Sequence, residues 1–277
     1  MPVPLNIYSN NRMDRRNKGL ILVFDLDQTL MDTETLFRRK EPPSHLKDIA
    51  VRSLMERIDT PAVSDRVIGK HINRRLIGEV LAPASELRGR GVDGIFLLTN
   101  NNSNFYVEAV GRYLANTLKN TDGNDYFFDY IMTRNDPSKG ADSLSKNLSN
   151  IKHMLHARCP FSRRIREPVE FIDDLDLAER LFFFDDQIYP LHKEIFQNIG
   201  LGSNRKLGLE GLPDLSDHYI HMQGTIQHDT TDYRVVKAAL DYIAAPPGFE
   251  GGSKRSRRRR HKTRRGRSKR RKTSRRH

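Results

Sequence analysis

Two carboxylates separated by one residue follow a short apolar run near the start of the chain. The run is Leu20–Phe24, the acids are Asp25 and Asp27, and Thr29 lies two residues further on. A continuous apolar run is typical of a central parallel strand covered on both faces. In such sheets, ligands bind in the crevice outside the carboxyl ends of the strands. The sequence therefore predicts that both acids face a ligand site.

Two other short apolar runs also stop abruptly at polar side chains. One is followed by Thr99 and Asn100, and the other by the acidic pair Asp185 and Asp186. A weaker strand candidate spans residues 126–134. Because the carboxyl ends of parallel strands meet at one edge of a sheet, we expect these polar groups to converge on the first acidic pair.

Helical patterns lie between the predicted strands. Their apolar residues recur near helical spacing at 45–58, 74–91, 107–120 and 145–157. Strands that alternate with helices indicate βαβ units. We therefore expect an α/β fold, a Rossmann-like three-layer α/β/α sandwich with a mostly parallel sheet.

The paired acids suit the chemistry of phosphate esters. One carboxylate can attack phosphorus and form an aspartyl-phosphate, which divides a difficult displacement into two easier ones. A second acid such as Asp27 can protonate the leaving oxygen and later deprotonate the attacking water. Since the ester is itself anionic, a hard cation such as Mg²⁺ and nearby Lys and Thr side chains would have to offset the repulsion.

This set of motifs resembles the haloacid dehalogenase-like (HAD-like) superfamily of phosphatases. The resemblance rests on "DLDQT" at 25–29, on Thr99 after an apolar strand, on a downstream lysine and on the acidic pair at 185–186, and it covers roughly residues 19–200. In having an acid two residues after the first, the chain resembles the phosphatases and phosphomutases of the superfamily. The dehalogenases and ion-pumping ATPases have a different residue at that position. The implied activity is hydrolysis of a phosphate monoester.

The resemblance also implies a role for each residue. Asp25 would be the nucleophile and Asp27 the general acid and base, with Thr99 and Lys146 completing the catalytic set. The implied phosphate-binding residues are Thr29, Thr99, Asn100 and Lys146. The implied Mg²⁺ ligands are Asp25, the backbone carbonyl of Asp27, Asp185 and Asp186, with Asp186 the first choice as a direct ligand.

Two of these assignments have rivals in the sequence. Lys146 opens an apolar-periodic segment, where the family places its lysine, but Lys139 in "DPSKG" is an alternative, and Lys152 is expected to be a solvated helix residue. Asp173 and Asp174 form a second acidic cluster after an apolar pair. We expect them in the first turn of a helix, where acids interact favourably with the helix dipole.

The chain divides into three parts by composition. Residues 1–18 form a polar lead-in, 19–247 the phosphatase-like domain, and 248–277 a basic tail expected to be disordered. Within the domain, the segment 32–71 is longer than a simple crossover and contains a Pro-Pro pair that breaks a continuous helix. It is either a small helical cap insertion or an elaborated crossover.

The positive charge of the protein is concentrated in its tail. The formal net charge is +13, but residues 253–277 hold four Lys and twelve Arg with no acid, so residues 1–252 carry −3. Such a tail would bind nucleic-acid phosphates through counterion release, and its lack of aromatic residues excludes base stacking. A nuclear localisation signal and attachment to an acidic protein are alternatives. The tail also resembles those of proteins from large DNA viruses.

Cysteine content and hydropathy limit the location. Cys159 is the only cysteine, so an intrachain disulfide is excluded and a reducing, intracellular compartment is favoured. The apolar runs are far shorter than the ~20 residues that a membrane span needs, and the N-terminus has no secretion signal pattern. We expect a nuclear or nucleic-acid-associated protein, with a virus particle as an alternative, and no membrane association.

Two functional hypotheses follow. The first is a Mg²⁺-dependent phosphatase acting on a phosphoprotein, a nucleic-acid end or a small molecule, and localised by its tail. The second is a catalytically inactive HAD-fold protein that binds or packages nucleic acid. The sequence leaves the oligomeric state open.

Overall fold

The computed structural model describes residues 19–36, 67–118, 127–137, 146–158, 174–187 and 216–245. The predicted lead-in, the basic tail, the predicted helix at 45–58 and most of the segment 32–71 lie outside these residues. So do the rival lysine Lys139 and the rival acid Asp173.

A five-stranded parallel sheet forms the centre of the domain, in the order β3-β2-β1-β4-β5. Its strands are β1 Leu20–Phe24, β2 Val92–Leu98, β3 Tyr130–Met132, β4 Leu181–Asp185 and β5 Tyr219–His221. A separate antiparallel pair consists of β6 Gly224–Thr225 and β7 His228–Asp229. The expected α/β fold with a mostly parallel sheet is confirmed.

Strand β1 lies in the middle of this sheet and is buried on both faces. Phe24 pairs with Leu97 of β2 on one side and with Phe184 of β4 on the other. Leu22 and Phe24 belong to one apolar cluster, while the alternate residues Ile21 and Val23 belong to a second cluster. Both faces are therefore apolar, which explains the continuous rather than alternating hydrophobic pattern.

Helices cover both faces and complete the three layers. The helices are α1 Thr33–Leu36, α2 Arg74–Leu76, a π-helical segment Ile77–Leu81, α3 Ala82–Glu86, α4 Asn104–Thr117, α5 Leu148–Arg158, α6 Asp174–Arg180 and α7 Arg234–Ala244. The helical stretch from α2 to α3 packs on one face together with α4 and α7. Helices α5 and α6 pack on the other face. None of the helices within the described ranges is long and apolar enough to cross a membrane.

The structure shifts several of the predicted boundaries. The pattern at 74–91 ends as a helix at Glu86, and the residues that follow form a turn before β2. Helix α4 begins at Asn104, three residues before its predicted start. Strand β5 and helix α7 lie outside the predicted elements; β5 has only three residues, too short an apolar run to be recognised.

The two ends of the segment 32–71 lie next to each other after β1. Met31 and Ile72 form an antiparallel bridge. The Asp32 amide donates to the His71 carbonyl at 2.8 Å, and the Asn73 amide donates to the Leu30 carbonyl at 2.8 Å. The two ends of the predicted insertion are thus fastened together directly after the loop that carries both N-terminal acids.

The side chain of Asn73 stabilises that loop through hydrogen bonds. It is fully buried, and its amide nitrogen donates to the Thr29 carbonyl at 3.3 Å and to Asp229 Oδ2 at 3.0 Å. Its oxygen accepts from the Leu76 amide at 3.0 Å and caps the start of α2. Asp229 in turn accepts from the Tyr233 hydroxyl at the start of α7. One polar network therefore ties the loop after β1 to the C-terminal part of the domain.

Asp229→Asn should make the domain less stable in a pH-dependent way. Burial alone would raise the pKa of Asp229, but hydrogen bonds from Thr231, Tyr233 and Asn73 outweigh it and hold the pKa below its ordinary value of 3.8. The ionised form therefore contributes stability above about pH 4, which is lost as the pH falls through the lowered pKa. We expect a loss of about 1–3 kcal/mol at neutral pH.

Chemical denaturation of wild type and variant between about pH 7 and about pH 3 measures this effect. The difference between the two should shrink as the medium becomes acidic. Asp241→Asn, which changes an exposed acid on α7, serves as the control and should show little difference at any pH. A deficit for Asp229→Asn that is constant with pH would contradict the interpretation.

Candidate active site

The ends of β1, β2 and β4 bring the predicted residues to one edge of the sheet. Asp25 directly follows β1, Asp185 is the last residue of β4, and Thr99 directly follows β2. The Asp25 amide donates to the Phe184 carbonyl at 2.9 Å, so the pairing of β1 with β4 continues up to the acid. Since β2 and β3 lie on one side of β1 while β4 and β5 lie on the other, the site occupies the switch point of the strand order.

A tight turn places the second acid next to the first. Gln28 adopts a φ of 57°, in the left-handed region, and its amide donates to the Met31 carbonyl at 2.8 Å. The Met31 amide donates back to the Leu26 carbonyl at 2.9 Å. These bonds fold the chain back within a few residues and keep Asp27 beside Asp25.

Lys146 lies between two of the acids. Its Nζ is 2.9 Å from Asp25 Oδ1 and 2.7 Å from Asp185 Oδ2, and the residue is only 3% exposed. Burial alone would lower the pKa of Lys146, but the charges of Asp25 and Asp185 outweigh it and the net shift is upward. Lys146 therefore stays charged and compensates two carboxylates at once.

Three carboxylates form a cluster suited to a divalent cation. One oxygen from each of Asp25, Asp185 and Asp186 lies within 4.8 Å of the others. Burial, and after it the charge of Asp25, raises the pKa of Asp185 to about 7 and that of Asp186 to about 6. A cation would relieve this repulsion, and an all-oxygen donor set is the kind that Mg²⁺ prefers. The residues thus fit the predicted magnesium site.

Strand β5 holds the acidic pair in place. Nε2 of His221 lies 3.0 Å from the Asp186 carbonyl, and the Met222 amide donates to the Asp185 carbonyl at 2.9 Å. The Gln187 amide donates to Asp185 Oδ1 at 2.8 Å. The carboxylate of Asp185 is therefore fixed by a backbone donor on one oxygen and by the lysine on the other.

Asp27 has a different environment, made of neutral donors. The Thr33 hydroxyl donates to its Oδ1 at 2.6 Å, and the Asn101 amide nitrogen lies 3.2 Å from Oδ1 and 3.1 Å from Oδ2. Burial, followed by the charge of Asp25, raises the pKa of Asp27, while the bonds from Thr33 and Asn101 oppose that rise. Its carboxylate is not part of the three-carboxylate cluster among the described residues.

Three of the predicted phosphate-binding residues, Thr29, Thr99 and Asn100, come after strands β1 and β2. Thr99 is fully buried and its hydroxyl oxygen accepts from the Asn101 amide at 3.0 Å, while Asn100 is half-buried beside it. Thr29 is also fully buried, and its hydroxyl has no hydrogen-bond partner among the described residues. The phosphate-binding role predicted for Asn100 and Thr29 stays a prediction.

Two of the alternatives considered from the sequence lie within the described residues. Lys152 lies half-exposed in the middle of α5. Asp174 begins α6, in keeping with the expected acidic first turn of a helix. Sequence reasoning missed Thr33 and Asn101, since neither belongs to a recognisable motif, although Asn101 lies only two residues after Thr99.

Comparisons of the chain with protein-family models, with curated proteins and with solved structures find no match. The HAD-like resemblance of the motifs therefore remains a prediction. The chemistry assigned to the site depends on the geometry of its own residues.

Lys146→Met should destabilise the protein by about 3–5 kcal/mol near neutral pH, because it leaves two buried carboxylates without their counter-charge. The deficit should shrink as the pH falls below about 7, where Asp185 takes up a proton and no longer needs compensation. Denaturation in the presence of EDTA, which removes bound cations, measures both effects.

Lys152→Met, in the helix α5 that follows Lys146, is the matched control for this change. It alters a half-exposed lysine, for which the loss should stay within about 1 kcal/mol. Equal losses for the two variants at every pH would contradict the proposed charge compensation.

Proposed function

We propose that the protein is a Mg²⁺-dependent phosphate monoester hydrolase of the HAD-like type that acts through an aspartyl-phosphate. The observation that carries the proposal is the placement of the Lys146 ammonium 2.9 Å from Asp25 and 2.7 Å from Asp185. A carboxylate that must attack an anion has to be ionised and surrounded by positive charge. The buried lysine supplies that charge beside Asp25, at the end of β1.

The reaction divides between the two N-terminal acids. A carboxylate oxygen of Asp25 attacks phosphorus, the bond from phosphorus to the ester oxygen breaks, and that oxygen takes a proton from Asp27. Water then attacks the phosphorus of the aspartyl-phosphate and gives a proton to Asp27, the bond from phosphorus to the Asp25 oxygen breaks, and inorganic phosphate leaves with the Asp25 carboxylate restored. Lys146 and Thr99 bind the phosphoryl oxygens in both steps and offset their charge.

Asp25, Asp185 and Asp186, with the backbone carbonyl of Asp27, are the residues that would hold Mg²⁺. When bound, the cation offsets the charge of the carboxylates and of the phosphoryl oxygens. Two observations support a cation at this site. One oxygen from each of the three carboxylates lies within 4.8 Å of the others, and burial together with this crowding raises the pKa values of Asp185 and Asp186.

The basic tail supports a second activity, which is binding to nucleic acid. Its 16 cationic residues lie within the last 25 residues of the chain, whereas residues 1–252 carry a net charge of −3. Binding would be independent of sequence and would weaken with salt. The tail would bring the hydrolase to nucleic acid or to the nucleus, where a phosphoprotein, a nucleic-acid end or a small molecule is the substrate.

Asp25→Asn should abolish hydrolysis of a generic aryl phosphate, with a loss of about a thousandfold or more, because an amide cannot act as the nucleophile. Wild-type hydrolysis should require Mg²⁺ and stop in EDTA. The variant Asp241→Asn, which alters an exposed acid outside the site, should hydrolyse at the wild-type rate. Equal and negligible rates for all proteins with and without Mg²⁺ would leave the inactive, nucleic-acid-binding alternative.

Deletion of residues 253–277 should abolish salt-sensitive binding to DNA and RNA while leaving hydrolysis of the aryl phosphate intact. For the full chain, the logarithm of the binding constant should fall with the logarithm of salt concentration at a slope of about −0.7 to −0.9 per phosphate contacted. Nucleic-acid binding that survives the deletion would refute this division of functions.

A further inference from the structure

The carboxylate of Asp27 accepts hydrogen bonds unequally on its two oxygens. Oδ1 has two donors within reach, the Thr33 hydroxyl at 2.6 Å and the Asn101 amide nitrogen at 3.2 Å. Oδ2 has one, the same amide nitrogen at 3.1 Å. Since each carboxylate oxygen offers about two acceptor positions, the described residues fill both positions on Oδ1 and leave one on Oδ2.

A buried hydroxyl fixes the direction of the bond from Thr33. The Tyr106 hydroxyl lies 3.1 Å from Thr33 Oγ1, and Tyr106 is only 2% exposed. Thr33 has a single hydroxyl hydrogen, and the bond to Asp27 uses it. With Thr33 donating to Asp27, Tyr106 donates to Thr33, so that a chain of two bonds runs from helix α4 to Asp27 and ends with a donor facing Oδ1.

The orientation of the Asn101 amide is fixed in a similar way. Its Oδ1 accepts from the Ser103 amide at 2.9 Å, directly before α4. With the oxygen committed to that backbone donor, the nitrogen faces Asp27. The backbone N–H of Asn101 donates to the Thr99 hydroxyl at 3.0 Å, so the segment that positions Asp27 also contacts the predicted phosphate-binding residue.

We propose that Thr33, Tyr106 and Asn101 are positioning residues that hold Asp27 so that Oδ2 is the oxygen that gives and takes the proton. This inference rests on the proposed hydrolase function and adds to it the residues that align the general acid. Neutral donors can hold a carboxyl group in one orientation whether or not its other oxygen carries a proton. The role of these residues is therefore alignment.

The test compares substrates that differ in their need for an acid. A p-nitrophenyl phosphate releases a stable anion and needs little protonation of the leaving oxygen, whereas a simple alkyl phosphate needs it fully. Thr33→Val removes the hydroxyl donor at nearly constant shape, and Thr33→Ser keeps it. Asn101→Asp keeps the oxygen that accepts from Ser103 and replaces the donor to Asp27 with a second acceptor.

Full-length proteins are assayed for kcat/KM on both substrates with saturating Mg²⁺, and thermal unfolding shows that each variant is folded. We expect Thr33→Val to lose about 10- to 100-fold on the alkyl phosphate and less than about threefold on the aryl phosphate. Thr33→Ser should match wild type on both. Asn101→Asp should widen the gap between the substrates in the same direction, although its added charge lowers both rates.

The outcomes separate this inference from the function on which it rests. Suppose that wild type hydrolyses both substrates and that Thr33→Val and Asn101→Asp are each impaired equally on the two. The role of Thr33 and Asn101 would then be purely structural, and the inference alone would be overturned. Impairment of Thr33→Ser equal to that of Thr33→Val would do the same, since the hydroxyl would not matter. Wild type that hydrolyses neither substrate would overturn the proposed function, and the inference with it.

Discussion

The buried ammonium of Lys146 is the interaction on which the rest of the site depends. Three carboxylates within 4.8 Å of one another, two of them almost fully buried, would otherwise be driven towards protonation. The lysine contacts two of them and keeps the first, Asp25, compensated where the chain leaves β1. A parallel sheet makes this arrangement possible, because β1 and β4 end level with each other and the segment before α5 returns to the same edge.

The parts of the site that could be predicted are those that follow from strand ends. The runs before Asp25 and before Asp185 are continuous and apolar, so the strands, their burial and their approximate register follow from the period of the pattern. The choice between Lys146 and Lys139 did not follow, because both come after the third predicted strand and close to the start of the next helical pattern in the sequence. Periodicity does not determine how such a connecting segment folds.

The residues that sequence reasoning missed are polar side chains joined across long stretches of chain. Asn73 contacts Thr29 and Asp229, which lie 44 and 156 residues away, and Asn101 contacts Asp27 across 74 residues. A lone Asn beside a helix start looks like an ordinary cap, and each of these residues does serve a local turn or cap. Their second contacts exist only once the sheet has brought distant strand ends and loops together.

The two N-terminal acids are held by opposite kinds of group, and the proposed chemistry accounts for this difference. Asp25 is paired with a permanent cation, which suits a nucleophile that must be ionised before each attack. Asp27 is held by a hydroxyl and an amide, and the charge of Lys146 lowers its pKa less than either of these hydrogen bonds does. A cation in direct contact would fix Asp27 in its ionised form and prevent it from donating a proton. Neutral donors keep its orientation while both protonation states stay accessible, as an acid that becomes a base within one cycle requires.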